Sequence, residues 1–196
     1  MKIIGLTGGI GSGKSTVLQF FKEFGAIPYI ADVEAKKLMN SDEELKFQIT
    51  KLFGNKVYKN DTVDRKYLAN IVFNNASKLK KLNKLVHPKV QQHFKNFVKN
   101  SKQGIIIYES AILFESGGNK LCDYVITVFT DYKTKIKRLK FRDGSSEDEI
   151  KARMQHQLND NYKIANANFV IKNNQLENTK YQVSTIYKIV QKIDVE

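Results

Sequence analysis

The sequence predicts a three-layer α/β fold, a parallel β-sheet between helices with a helical insert and a helical lid. Three observations predict it. Short apolar runs alternate with stretches of helical spacing along most of the 196 residues, the pattern of strands joined by crossover helices. The first run passes into a helix through a glycine-rich turn, "GLTGGIGSGKST" (5–16). A long lysine-rich helical stretch, about 33–103, separates the second strand from the third.

Each element has its own warrant. "KIIGL" (2–6) is apolar and too short for a helical period, so it reads as a buried strand. "KSTVLQFFKEFG" (14–25) sets Val17, Leu18, Phe20, Phe21 and Phe24 at helical spacing and stops at Gly25. "AIPYIAD" (26–32) is the second strand, ending at Asp32. In the insert, Leu45, Ile49, Leu52 and Phe53 share one helix face ahead of Gly54. "RKYLANIVF" and "ASKLKKLNKLVHPKVQQHFKNFVKN" carry similar spacing, and Pro88 is expected to kink or break the longer helix. "GIIIYES" (104–110) and "DYVITVFT" (123–130) return to buried strands. Helices follow over 131–143 and 145–157, the second with an N-cap candidate and an acidic first turn. "NFVIKNN" (168–174) is the last strand, before a closing helix over about 175–192. The expected organisation is a single domain: a core of 1–32 and 104–196, an insert of about 33–103 that binds substrate, and a lid of about 138–165. Such an insert commonly covers the carboxyl ends of the strands, where ligands bind.

Composition narrows the class. At 41% hydrophobic the chain can bury a real core. Cys122 is the single cysteine, which rules out an internal disulfide and suits a reducing compartment. The N-terminus lacks the apolar run of a signal peptide, and "YVITVF" (124–129) is far below a membrane span. A soluble cytoplasmic protein is expected, with no membrane partner. The net charge of +13 suggests a polyanionic partner, nucleic acid, membrane surface or a multiply phosphorylated small molecule, or else a solvated lysine coat. The arginines are more telling: of Arg65, Arg138, Arg142 and Arg153, three fall between 138 and 153. A lysine-biased chain that places arginine in one window has a use there for a planar bidentate donor, as in phosphate binding. The three His and Cys122 show no zinc-ligand spacing, and "GSS" (144–146) is not a nucleophile elbow.

The glycine-rich turn carries the chemistry. Gly8, Gly13, Lys14 and Ser15 fit G-x-x-x-x-G-K-[ST] between a strand and a helix, the context of a phosphate-binding loop. A phosphate chain needs inward backbone N–H groups with no side chains in the way, and the helix N-terminus adds its positive dipole end. Gly11, Ser12 and Gly13 supply the cradle for ATP. Lys14 can reach the β- and γ-phosphates, the Ser15 hydroxyl can ligate Mg²⁺, and Thr16 lies near the α-phosphate.

Other candidates keep two readings each. Asp32, at the end of the second strand, either orients or deprotonates an acceptor hydroxyl or caps the helix that follows. Glu109, at the end of the third strand, either holds Mg²⁺ through water or is a surface carboxylate, and Glu115 divides likewise between function and surface. Arg138 and Arg142 share a helix face, as do Arg153 and Gln157, and either clamp phosphates or lie in solvent. Ile136 and Leu139 point to the inward face. His87, ahead of Pro88, either contacts substrate or is a satisfied helix residue.

"LTGGIGSGKST" (6–16), "AD" (31–32), "LVHP" (85–88), "ESAILFE" (109–115), "KRLKFRD" (137–143), "RMQHQ" (153–157) and "NFVIKNN" (168–174) together resemble the dephospho-coenzyme A kinases, in their order and over nearly the whole chain. The resemblance implies transfer of the γ-phosphate of ATP, with Mg²⁺, to the 3′-hydroxyl of dephospho-coenzyme A, the last step of coenzyme A synthesis. It implies Asp32 as base or hydroxyl-orienting residue, Thr7 and Gly8 near both substrates, Arg138 and Arg142 on the lid side, and His87 near the dephospho-coenzyme A site. Glu115 is counted with the substrate-binding residues. A monomer or weak homo-oligomer is expected, with no nucleic-acid partner. The chain departs from the family pattern at Ile30, Lys36 and Asn168, and reads Glu109-Ser110-Ala111-Ile112-Leu113 where Asp-x-Pro-Leu-Leu is usual. Three rivals remain on the residues alone: another small-molecule kinase, a nucleotide-dependent nucleic-acid-binding protein, and a slowly hydrolysing nucleotide switch.

Overall fold

The computed structural model describes residues 1–73 and 75–193. In chain order its strands are β1 (Lys2–Thr7), β2 (Ile27–Ile30), β3 (Tyr58–Lys59), β4 (Thr62–Val63), β5 (Ile105–Glu109), β6 (Tyr124–Phe129) and β7 (Phe169–Lys172). Its helices are α1 (Lys14–Glu23), α2 (Ala31–Ser41), α3 (Glu43–Phe53), α4 (Arg65–Phe73), α5 (Ala76–Asn100), α6 (Tyr132–Asp143), α7 (Glu147–Gln155), α8 (Asp160–Ala165) and α9 (Leu176–Lys192). The chain forms two compact units, one of Met1–Ile30 with the chain from Lys102 onward, the other of Ala31–Ser101.

The first unit is built on a five-stranded sheet in the order β2-β5-β1-β6-β7. Every pairing in it is parallel. Central strands covered on both faces are apolar throughout, which is why β1, β5 and β6 read as continuous apolar runs rather than alternating ones. Ile4, Leu6, Ile107, Ile126 and Val128 are fully buried between Val17 and Phe21 of α1 and Val183 and Val190 of α9, among others. The register brings the strand ends together. Leu6 lies opposite both Glu109 and Ile126, and Ile30 also lies opposite Glu109. One carboxyl edge therefore collects Thr7, Ile30, Glu109 and Phe129. A smaller cluster of Ile136, Leu139 and Ile150, with Ile10 and Met154 against it, ties α6 and α7 to the segment that follows β1.

The second unit packs α2 to α5 around Leu45, Ile49, Phe53, Val57, Val63, Leu68 and Val72. Helix α5 presents Leu82, Val86, Val90 and Phe94, a four-residue repeat that puts one stripe inward. Asp42 caps α3 by accepting from Leu45 N at 2.8 Å, and Lys89 pairs with the same carboxylate at 3.1 Å. The Tyr58 hydroxyl donates to the Met39 carbonyl at 2.8 Å, and burial pushes its pKa up to about 12.

Three expectations are corrected at this level, and one element had not been expected. The second strand stops at Ile30, and Ala31 already opens α2, so Asp32 stands in the first helical turn rather than at a strand end or as a cap. Asp32 and Glu34 suit that turn because carboxylates there meet the positive end of the helix dipole. Helix α5 runs unbroken through Pro88. Pro88 and Lys84, four residues earlier, are both exposed, so the carbonyl that loses its intrahelical donor has water available. The β3–β4 hairpin went unread because two-residue strands carry no periodicity; its turn is Asn60-Asp61, with φ of 47° and 64°, the primed geometry of tight hairpins. The helix expected over 145–157 ends at Gln155, and a separate α8 starts under an Asn159 cap that accepts from Tyr162 N at 2.7 Å.

Proline is about 3 kcal/mol worse than alanine inside a helix, less the fraction returned by its stiffening of the unfolded chain, so Pro88→Ala should stabilise the protein by about 1–2 kcal/mol. Urea unfolding of the two proteins checks this; an unchanged or lower midpoint would mean the proline fits its site without cost.

Candidate active site

The site grows out of the end of β1. After Thr7 the chain turns through Gly8–Gly13 and enters α1 at Lys14. Gly13 has φ 88° and ψ 31°, a left-handed conformation that glycine adopts without strain. No side chain caps α1, the condition under which a helix N-terminus can receive an anion. At Gly8 the reason for glycine is space as well: a Cβ there would strike the Val128 carbonyl and lie 2.8 Å from Ser12 Oγ. The Lys14 ammonium donates to the Gly8 carbonyl at 3.0 Å. Ser15 is exposed at the head of α1, and Gly11 and Thr16 are half-buried. Thr7 Oγ1 and Ser12 Oγ are buried without a hydrogen-bond partner among the described residues. Two orphaned hydroxyls, one at the end of β1 and one in the loop it leads into, fit a site shaped for a polar ligand, since such groups otherwise cost free energy.

The outside of the loop is held by side chains from three segments. Asn173, just past β7, donates to the Ser12 carbonyl at 2.9 Å. Thr179 of α9 fixes that amide by donating to Asn173 Oδ1 at 3.0 Å. Arg138 of α6 reaches the Ser12 carbonyl at 3.4 Å and the Asn173 carbonyl at 3.0 Å. Gln157, between α7 and α8, accepts from Ile10 N at 2.9 Å. Asn173 was not among the candidate site residues, and Gln157 entered only as the helix-face partner of Arg153, although "NFVIKNN" and "RMQHQ" contain them. Amides that hold a main-chain group leave no periodic or charge signal in a sequence.

The expected arginine face divides. Arg138 is engaged at the loop. Arg142 donates to its neighbour Asp143 at 2.7 and 3.1 Å, and Arg153 reaches the same carboxylate at 3.0 Å. The Arg142 hydrogen bonds, with help from Arg153, hold the Asp143 carboxyl at about 2.

Glu115 is likewise committed. It accepts from Leu158 N at 2.8 Å and pairs with Lys163 at 3.1 Å. The Lys163 ammonium, fully buried, also donates to the Ala111 carbonyl at 2.6 Å. Through Oε1, Glu115 thereby braces the segment after β5 against the one before α8. Glu109 closes β5, largely buried. In the second unit Asp32 is exposed and His87 half-buried. Burial pushes the His87 pKa down, and the Asp32 charge pulls it partly back. Among the described residues no group of three or more His, Cys, Asp or Glu is placed to hold a metal, and no helix is long and apolar enough to cross a membrane.

A parallel sheet whose first strand turns through a glycine loop and Gly-Lys-Ser onto an uncapped helix defines the phosphate-loop nucleotide-binding proteins. The particular family follows from comparison. The dephospho-CoA kinase family model matches residues 2–178. A dephospho-CoA kinase of Fusobacterium nucleatum is 40% identical over 173 residues, 88% of this chain and 89% of that one. A crystal structure from Thermus thermophilus superposes with a TM-score of 0.87 at 26% identity, covering 98% of both chains. The dephospho-CoA kinase of Campylobacter jejuni gives 0.69 at 29% identity, covering 97% of both. The chain belongs to the dephospho-CoA kinase family.

Breaking a buried pair strands the other charge, so Glu115→Gln should destabilise the protein by about 3 kcal/mol, and adding Lys163→Met should recover much of it. Thermal unfolding of both variants decides; a single variant as stable as the parent would show that the Ala111 carbonyl alone satisfies Lys163.

Proposed function

We propose that this chain transfers the γ-phosphate of ATP to the 3′-hydroxyl of dephospho-coenzyme A, giving ADP and coenzyme A. The observation that carries the reading is the phosphate loop itself, with Lys14, an uncapped α1 and the orphaned Thr7 and Ser12 hydroxyls, in a chain of this family. Gly11, Ser12, Gly13, Lys14, Ser15 and Thr16 bind the triphosphate. Backbone N–H groups and the Lys14 ammonium neutralise charge that builds on the β- and γ-oxygens as the bond to the leaving ADP opens. Thr7 and Gly8 meet the phosphoryl group in transit. Arg138 and Arg142 add positive charge from the lid side, the lid being about 138–165. Asp32 accepts the proton of the attacking hydroxyl, or orients it in line with the phosphorus. Residues 33–103 bind dephospho-coenzyme A, with His87 and Glu115 among the contacts.

One hydroxyl, Ser15, and one carboxylate, Glu109, suit a magnesium ion that arrives on ATP and keeps most of its ligands as phosphate and water. When bound, such an ion would screen the phosphate charges and fix the chain's conformation. The positive net charge of the protein speeds capture of two polyphosphate substrates. The reading includes a cytoplasmic setting and a monomer or weak homo-oligomer.

Coenzyme A formation from Mg-ATP, with dephospho-coenzyme A, nucleoside monophosphates and no acceptor compared side by side, tests the function. Stimulation by a nucleoside monophosphate alone would overturn the acceptor assignment. Lys14→Ala should lower kcat by at least ~10²-fold, the scale of losing one preorganised charge at a transition state. Asp32→Asn should cut kcat by ~10²-fold or more while ATP affinity changes little; an unaltered kcat would remove Asp32 from the chemistry. Arg142→Lys should lower kcat if the planar fork matters, and parental kinetics would leave Arg142 as the partner of Asp143 alone.

A further inference from the structure

One face of α6 lies against the phosphate loop through three consecutive contacts. Arg138 holds the Ser12 carbonyl. A Cβ on Gly11 would meet Leu139 Cδ1 at 3.0 Å and the Lys135 carbonyl at 3.2 Å. The third contact is ionic. Lys135 is nearly buried, forms an ion pair with Asp160 at the start of α8, and sits over the Phe129 ring. A Cβ on Gly9 would lie 2.8 Å from Asp160 Oδ1 and 3.0 Å from Lys135 Nζ. The pair therefore touches the loop at Gly9, beside Ile10, whose N–H is held by Gln157.

Gly9 separates space from conformation. Gly8, Gly11 and Gly13 have positive φ, and Gly9 does not. Alanine is acceptable to the Gly9 backbone, so what excludes it is the pair. The side-chain ends could swing aside, but Lys135 would then be left buried with its countercharge displaced, an expensive arrangement. The same residues line a cavity of about 370 Å³ with Ile10, Gln157 and Leu158, so apolar packing at this end comes from Ile10 against the α6–α7 cluster, and Gly9 itself meets the ion pair.

We propose that Lys135 and Asp160 are positioning residues for ATP: their ion pair sets the Gly9–Ile10 end of the phosphate loop in its phosphate-binding shape, and Gly9 is glycine to make room for it. The inference rests on the reading of this loop as the ATP site. Neither residue needs to touch ATP. Lys14 remains the ammonium on the phosphates, while Lys135 acts through the backbone of Gly9.

The test is direct binding of Mg-ATP by calorimetry, with KM for each substrate alongside, on the full chain. Asp160→Asn and Lys135→Met should each weaken ATP binding by about tenfold, the effect of 1.4 kcal/mol. KM for dephospho-coenzyme A should stay within about twofold, a difference under 0.5 kcal/mol, and Lys135→Arg should restore ATP binding. Gly9→Ala should weaken ATP binding in the parent and cost nothing further in the Asp160→Ala background. Parental ATP binding in both charge variants would overturn the proposal. So would equal losses for both substrates with a lowered melting temperature, the mark of a general structural role, or a Gly9→Ala cost that is the same in both backgrounds. Lys14→Ala serves as the control. If it weakens ATP binding while the charge variants do not, only this inference falls; if it binds ATP as the parent does, the loop reading falls and takes the inference with it.

Discussion

The Ser12 carbonyl is the point on which the phosphate loop depends. A loop that turns its N–H groups toward a ligand turns carbonyls the other way, and those need donors. Here Asn173 and Arg138 both supply them, from the end of β7 and from α6. Asn173 is itself oriented by Thr179, and its own carbonyl takes the second arm of Arg138. Two donors far from the loop in sequence, Arg138 and Asn173, are thus locked to one atom. The consequence runs back to the sheet: β7 must pair with β6, and β6 with β1, for Asn173 to arrive beside the loop that β1 begins. The parallel order of the strands is what makes the donor set possible.

The same requirement explains the interior charges. Lys135 and Lys163 are buried, each with one carboxylate partner, and both partners belong to the segment around α8 or to the brace it meets. Removing ammonium groups from water is costly, so such pairs are a poor source of net stability. They make better sense as devices that specify position. One sits at Gly9; the other joins the segment after β5 to Leu158, next to the Gln157 that holds Ile10. The loop is gripped on its outer side by polar contacts with fixed directions, while the smaller apolar cluster of Ile136, Leu139 and Ile150 supplies the less directional cohesion.

Much of this was legible in the sequence, and what was not follows a physical rule. The sheet strands, α1 and the loop are written in local pattern: a buried parallel strand is an apolar run, and a phosphate loop needs glycines at fixed offsets. The inward face of α6 was legible through Ile136 and Leu139. Lys135 was not, because in a lysine-rich chain a buried lysine looks like any other and only its distant partner, Asp160, marks it. The same holds for Lys163 with Glu115. Pro88 does not break its helix, for the complementary reason. Its local rule is sound, but tertiary packing of the Leu82–Phe94 stripe, with the proline on the exposed side, overrides it. The β3–β4 hairpin lies below the length at which alternation carries information.

The scarcity of arginine now has a geometric reason. Arg138 spans two carbonyls on different segments, Ser12 and Asn173, a task that suits a rigid planar fork. Arg142 and Arg153 converge on one carboxylate, Asp143, at the α6–α7 junction. The buried lysines each reach a compact set of oxygens, which a point charge satisfies. At these three positions, where a donor bridges carbonyls or shares a carboxylate, the chain uses arginine, while Lys46 bridges Glu43 and Asp61 with its ammonium. The window of arginines in the sequence was therefore a signal of bridging geometry around the phosphate loop and its flanking helices, beyond any direct use on the phosphates themselves.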